Sequence, residues 1–341
     1  MSAERRGYTT CVSSNLLSTI DSQPSTRREA APVAATAYER RPGWGAWLFL
    51  APLLLWLAVF VVAPTLLLVV YSFAERDALG RVVFHFTWEN YLRALDWPTL
   101  SQLPHAVATR GWAGLAETYE HLHWFRILLV SVWYAFLTTV ICMIVGYPAA
   151  YFIGRAPERW RNLLLMLVMI PFWTSFLIRT YAWITILSTN GFLNAILLSA
   201  GVLTEPLTLM YTPFAVVLGL VYNYLPFMIL PIYTSVEKLD NALIEAAHDL
   251  GAGPVRAFSN VILPLTRPGI AAGALLVFVP AIAMFAITTL MGGGANPTVG
   301  EVIQKQFTSA GNPPFGAALG TLLLLLFFVS LWFAQSRKQR I

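Results

Sequence analysis

Charge is what this sequence has least of. Only 11% of its 341 residues are Asp, Glu, Lys or Arg, against about 25% in soluble domains, while 57% are hydrophobic. The apolar residues come in long blocks, which excludes an ordinary soluble globular chain and implies an integral membrane protein. There are two cysteines, Cys11 in a polar tail and Cys142 inside an apolar run, too few for a disulfide framework or for redox chemistry. The chain lacks a Gly-x-x-x-x-Gly-Lys-[Ser/Thr] loop and any polar segment large enough to house a nucleotide domain. No repeat of about 20–50 residues is evident either. The formal charge of +5 does not argue for nucleic acid, because the basic residues flank the apolar runs, where a positive-inside bias explains them.

What the chain does contain is six stretches long enough for a spanning helix, which needs about 20 mostly apolar residues. They lie at about 46–72, 126–153, 162–187, 212–234, 269–291 and 316–335. Pro52, Pro64, Pro148, Pro171, Pro226, Pro231 and Pro280 fall within them and read as kinks, since neighbouring helices can satisfy the carbonyls that proline frees. "GFLNAILLSAG", 191–201, is too short to cross and reads as interfacial or re-entrant. Fifteen of the 22 Lys and Arg lie in the tail 1–44, the loop 155–161, the loop 235–268 and the C-terminus. Both termini and the 235–268 loop are therefore expected on the cytoplasmic side, with the long 74–125 loop outside. Residues 1–44, rich in Ser, Thr, Ala and Arg, read as a disordered tail, 45–335 as the spanning domain and 336–341 as a basic tail. The first apolar run is too long for a signal-peptide core and reads as a retained span.

A polar, glycine-broken stretch, "EAAHDLGAGPVRAFSNVILP" at 245–264, interrupts this pattern between spans four and five. Val236, Leu239, Leu243, Ala246 or Ala247, and Leu250 recur at helical spacing, with Glu237, Asp240, Asn241, Glu245 and Asp249 on other faces. The spacing predicts an amphipathic helix from Val236 to Leu250. Gly251 stands where a left-handed cap is cheapest, and Gly253-Pro254 suits the start of a second helix over about 254–262. That helix is expected to stop before Pro264, because the residue preceding proline is biased out of the helical region. By its pattern alone, the element could equally be a structured loop that caps the bundle.

Glu245, Ala246 and Ala247, then Gly251, then "VILP" at 261–264 resemble the EAA motif of bacterial ABC importer permeases: EAA, three residues, Gly, nine residues, Ile, one residue, Leu-Pro. Val261 stands where isoleucine is usual. "FTWENYLRAL", "IPFWTSFLIRTYAWITIL", "GFLN", "LVYNYLPFMILPIYTSVEKLD" and "GGG" extend the resemblance, over about residues 45–335, to the permease subunits of spermidine/putrescine-type importers. The resemblance implies an all-α, multi-pass protein of the bacterial plasma (inner) membrane. Its six spans would carry a cytoplasmic helix-turn-helix coupling loop between spans four and five. Glu245, Ala246, Ala247, Gly251 and Pro264 would form the surface that docks on a separate ATPase. It further implies an ATP-binding subunit dimer, a second homologous permease and an external solute-binding protein, with no catalytic residue and no cofactor in this chain. A polyamine such as putrescine or spermidine is the expected substrate. Another small organic solute is the alternative, and a self-sufficient secondary transporter or channel is the rival from a different class.

Candidate path residues are read from the polar and aromatic content of the spans. Ionisable groups there are costly and point to function. Arg179 shares a face with Ser175 and Trp183, with Trp173, Thr174 and Tyr181 nearby. It either lines the path or serves as a structural arginine that snorkels to the headgroups or pairs with a loop acid. Tyr222, Asn223 and Tyr224 lie mid-span in span four, where Asn223 is expected to bond to another helix. Phe285 lies in span five, which has no acid in that stretch, although several polyamine-importing relatives carry acids there. A cation would then need aromatic partners or acids on another subunit. His105, His121 and His123 with Glu117 and Glu120 fit no metal-site spacing and read as an exposed amphipathic helix.

Overall fold

The computed structural model describes residues 44–77, 80–111, 122–294 and 296–338. Residues 1–43 of the expected tail 1–44 and the cluster Glu117, Glu120 and His121 lie outside them, while Trp44 already belongs to a helix. The chain divides into two units, Met1–Leu57 and Ala58–Ile341. Of the first, the described part is one apolar helix, α1 (Trp44–Leu57), which contains Pro52.

The second unit opens with a π turn (Ala58–Val62) and α2 (Ala63–Ser72), which has Pro64 in its first turn, where a missing N–H costs nothing. A hairpin of two-residue strands follows, β1 (Glu75–Arg76) and β2 (Val82–Val83), paired Glu75 to Val83 and Arg76 to Val82. Short helices α3 (Glu89–Ala94), α4 (Trp97–Leu100) and α5 (Leu103–Arg110) complete the described part of this loop. The helical core is made by α6 (His123–Arg155), α10 (Pro213–Glu237) and the helix entering at Pro254. That last helix runs as α12 (Pro254–Ala257), a π turn (Phe258–Ile262) and α13 (Leu263–Ala283).

Close packing of these three helices depends on small residues. Leu220, Met228, Ile232 and Val236 of α10 are fully buried with Ala135, Cys142 and Ala150 of α6 and Val277 of α13. A Cβ on Gly269 would come within 2.5 Å of the Pro231 carbonyl, so α13 reaches the α10 backbone only because that position has no side chain. Tyr147 and Thr266 join α6 to α13 through their hydroxyls at 2.9 Å.

Among the described residues, five helical stretches are long and apolar enough to span: Leu50–Ser72, His123–Arg155, Phe176–Ser199, Pro213–Glu237 and Pro254–Ala283. The apolar stretch Pro313–Val329 of the last helix, α16 (Pro313–Lys338), is shorter. The third expected span, 162–187, is not one helix. It is α7 (Glu158–Met169), a 3₁₀ turn (Ile170–Trp173), an extended Thr174 and α8 (Phe176–Leu187). Pro171 therefore interrupts the helix instead of kinking it, and the Thr174 hydroxyl caps its carbonyl at 2.8 Å. The 12-residue α8 rises only about 18 Å, too little to cross alone, and the stretch Phe176–Ser199 reaches spanning length only by including the next short helix beyond a turn. The turn Ser188–Gly191 then leads to α9 (Phe192–Ser199), the short segment expected at 191–201.

Two further expectations are corrected. The helix read over Val236–Leu250 is two, since α10 ends at Glu237 and α11 (Asn241–Asp249) starts afresh behind an Asp240 cap. The helix begun at Pro254 does not stop before Pro264. The π turn at Phe258–Ile262 shifts the hydrogen-bond register just ahead of the proline, which then occupies the first turn of α13, where it has no bond to lose. Span five breaks in turn at Met284–Phe285, before α14 (Ala286–Gly292). The freed Met284 carbonyl accepts from the Thr288 hydroxyl at 3.2 Å and the Thr298 hydroxyl at 3.4 Å, which removes the cost of the break. α15 (Val299–Phe307) then precedes α16.

Candidate functional site

Asp240 opens α11 by accepting from the Ala242 amide at 2.9 Å, the role for which acids suit N-caps. At the other end Gly251 takes φ +81°, and the amides of Gly251 and Ala252 donate back to the carbonyls of His248 (2.8 Å) and Ala247 (3.0 Å). These are the paired bonds of a Schellman cap, which needs the left-handed conformation that glycine takes most cheaply. Gly253 and Pro254 then start α12 at once, as expected.

The turn presents a compact surface. Glu245 and Ala246 are exposed and Ala247 is half-buried, and beside them Leu250 and Val255 are 89% and 77% exposed. Pro264 is half-buried in α13, so it shapes the helix and presents little surface. The end of α6 and the start of α7 brace the α10–α11 junction, at the other end of α11 from Gly251. Arg161 bonds Glu237 at 3.0 Å, and Arg155 contacts the Asn241 side chain. These arginines were read only for orientation. Their bracing partners lie 76 and 86 residues away, a distance at which sequence carries no signal.

The candidate path residues separate into two groups. The Arg179 guanidinium lies 5.6 Å from the Phe172 ring centre and 6.0 Å from that of Tyr222, within cation–π range of both. Its Nε and Nη1 are buried without hydrogen-bond partners. Tyr222 meets Trp183 edge-on at 5.6 Å, and Phe227 links Phe172 (5.0 Å) to Tyr224 (6.2 Å). The 3₁₀ turn, α8 and α10 thus converge on one fixed positive charge held among aromatic rings. Phe172 and Phe227 were not foreseen, because the break at Pro171 is what brings their rings together.

Trp173, Tyr181 and Phe285 stand outside that group, 78%, 56% and 45% exposed. Asn223 is buried but does not bond across helices as expected. Its amide donates to the Gly219 carbonyl of its own helix at 2.8 Å, and its Oδ1 has no partner. Local back-bonding four residues along the helix is always within reach, which is why it wins here.

Asn194 and Glu301 are among the buried polar groups that the sequence reading misses. Asn194 donates to the carbonyls of Ser188, Thr189 and Leu207 and accepts from the Leu207 amide, tying the α8–α9 turn to the strand of chain that follows. Glu301, in the first turn of α15, is 1% exposed; its Oε1 forms an ion pair with Lys305 Nζ at 2.7 Å, and its Oε2 has no hydrogen-bond partner. Among the described residues no group of three or more His, Cys, Asp or Glu is placed to hold a metal.

Comparison with known proteins agrees with this architecture. The profile of the family described as "Binding-protein-dependent transport system inner membrane component" matches residues 144–341. The chain is 43% identical over 283 residues to the spermidine/putrescine transport system permease protein PotB of Salmonella typhimurium (strain SL1344), covering 82% of this chain and 90% of that one. To the protein of the same name in Escherichia coli (strain K12) it is 42% identical over 283 residues, covering 82% and 94%. In fold it is similar to a chain in the crystal structure of a bacterial alginate ABC transporter in complex with an alginate pentasaccharide-bound periplasmic protein. The TM-score is 0.64 at 15% identity, covering 87% of this chain and 94% of that one.

Proposed function

Since the chain belongs to the family of binding-protein-dependent transport inner membrane components, we propose that it forms half of a translocation path for a small organic cation, with putrescine or spermidine the leading candidates. It is the non-catalytic, multi-pass permease subunit of an ABC importer in the inner membrane. The rival reading as a self-sufficient secondary transporter or channel falls with that membership. The polyamine assignment is supported by identity above 40% over most of the chain to permeases of spermidine/putrescine systems. Another small organic solute remains the alternative, because the aromatic group carries Arg179, a poor ligand for a cation.

We read six crossings, with α7 and α8 together making the third and the shorter apolar α16 the last, and both termini and the Gly251 turn on the cytoplasmic side. This follows from the basic residues at 155–161, 235–268 and 337–340. The observation that carries the coupling role is the exposed surface of Glu245, Ala246, Leu250 and Val255 around a turn whose backbone is fixed by the Gly251 cap, on a helix whose start is held through the Arg161–Glu237 ion pair. Exposed leucine and valine beside small alanines form a surface that a groove on an ATPase dimer could close over. A second permease completes the path, and an external binding protein delivers the solute.

The test is reconstitution of the full importer in liposomes. Uptake of spermidine or putrescine that needs ATP, ATPase and binding protein supports the reading. Uptake by the chain alone defeats the coupling role. Binding calorimetry on the cognate solute-binding protein then settles the class of solute, and tight binding of an organic anion with none of polyamines would overturn the cation assignment.

A further inference from the structure

Glu301, 1% exposed, is the most deeply buried acid among the described residues and lies ten residues beyond span five, the stretch read as having no acid. Its place at the third position of α15, behind Thr298 as N-cap, suggests a capping box, in which threonine and glutamate satisfy each other's backbone amides. That box is not formed. The Thr298 hydroxyl turns to Thr288 (3.1 Å) and to the Met284 carbonyl, and neither oxygen of Glu301 receives a backbone amide. The Val299 amide is taken by the Ser131 hydroxyl of α6 at 2.8 Å. Glu301 therefore does not do the usual structural work of a glutamate at this position.

Its burial is imposed by the backbone. A Cβ on Gly300 would overlap the Ala283 carbonyl, so the first turn of α15 is pressed onto the end of α13, and the next side chain is turned into the bundle. On the facing side Gly294 presents bare backbone, with a hypothetical Cβ still 3.9 Å from Oε1. Oε2 has no partner, and the cation in contact with Oε1 is Lys305 Nζ, from a side chain that is 47% exposed. A buried carboxylate without hydrogen bonds is costly unless it accepts a cation.

We propose that Glu301 is an acceptor for an organic ammonium group at the end of α13 remote from the Gly251 turn, and that Lys305 is a tethered ammonium that occupies it until a substrate ammonium takes its place. The primary amine of Lys305 has the same donor chemistry as the ends of a diamine, three N–H bonds on a compact charge. Exchange would cost little, because the lysine returns a half-exposed head to water as the incoming ammonium leaves it. This rests on the small-organic-cation reading above, and it adds the acid that span five lacks.

The experiment is equilibrium binding of radiolabelled spermidine to the permease–ATPase complex in nanodiscs, with the binding protein omitted and basal ATP hydrolysis as the measure of assembly. Lys305→Gln removes the competitor and is expected to tighten binding about threefold to fivefold, the range for a half-exposed ion pair. Glu301→Gln is expected to weaken binding about tenfold or more, the scale of a lost bond to a charged group, and to cancel the gain when combined with Lys305→Gln. Glu301→Asp is expected to restore part of it. Spermidine binding that is unchanged by Lys305→Gln, or absent from both the native and the Lys305→Gln complexes, overturns the proposal. Binding that follows these expectations in an importer that fails to take up spermidine leaves the acceptor standing and removes spermidine as the substrate.

Discussion

Arg179 and Gly251 are the residues whose surroundings make the sharpest demands. Two guanidinium nitrogens of Arg179 are buried without acceptors, so its charge is a burden that ring contacts only partly offset. Arg179→Met is therefore expected to leave melting temperature and yield unchanged or higher while altering the uptake rate. Thermal unfolding of the purified complex beside a transport assay checks this, and a loss of stability would mark the arginine as structural. At Gly251 no atom would meet a Cβ, and φ is +81°, so an added side chain meets backbone strain alone. Gly251→Ala should cost about 1 kcal/mol or a little more. Gly251→Pro, with φ locked near −65°, cannot form the cap at all. ATP hydrolysed per solute imported should rise modestly for alanine and steeply for proline, with insertion unaffected. Normal coupling in the proline variant would show that the turn is not the coupling surface.

At the scale of elements, interruptions decide the architecture. The α8–α9 turn hangs on Asn194, whose side chain makes four bonds to backbone. Asn194→Ala removes them from a buried site and should cost about 2 kcal/mol or more, seen as faster amide exchange at Leu207 and its neighbours. α10 and α13 meet where Gly269 passes the Pro231 carbonyl. Gly269→Val puts a branched side chain into that contact, and the expected result is loss of the folded protein or a fall in melting temperature, since overpacking costs about 1–3 kcal/mol at minimum. An unchanged melting temperature would mean that the two helices do not approach as described. The break at Met284 follows the same logic, with hydroxyls of Thr288 and Thr298 taking up the carbonyl that the helix abandons.

For the whole molecule the testable property is its direction in the membrane. If the proposed orientation holds, with the Gly251 turn cytoplasmic and the Ser199–Thr204 segment outside, a cysteine at Leu250 should react with a membrane-impermeant maleimide in inverted vesicles but not in right-side-out ones. A cysteine at Val202 should show the reverse, since both positions are well exposed, at 89% and 67%. The native Cys142 is buried and adds little background, while Cys11 is replaced for the purpose. Labelling of both positions from one side would overturn the crossing order.

The sequence by itself determined the class of protein, the rough position of the apolar runs, the left-handed cap at Gly251 and the family through the EAA spacing. These are properties of hydrophobic length and of local backbone chemistry, which neighbouring residues fix. Tertiary structure alone decided that Pro171 breaks a helix while Pro226 and Pro231 stay inside one, and that Pro264 is absorbed by a π turn. A proline's outcome depends on who satisfies the freed carbonyl, and that partner is supplied by packing. It also decided that Arg179 lies among Phe172 and Tyr222 whereas Trp173 and Tyr181 face away, since helical spacing ranks the faces of one helix but says nothing of what each face meets. Glu301 illustrates the limit most plainly. Its spacing from Thr298 is that of an ordinary helix cap, and only the press of Gly300 against Ala283 turns it into a buried charge.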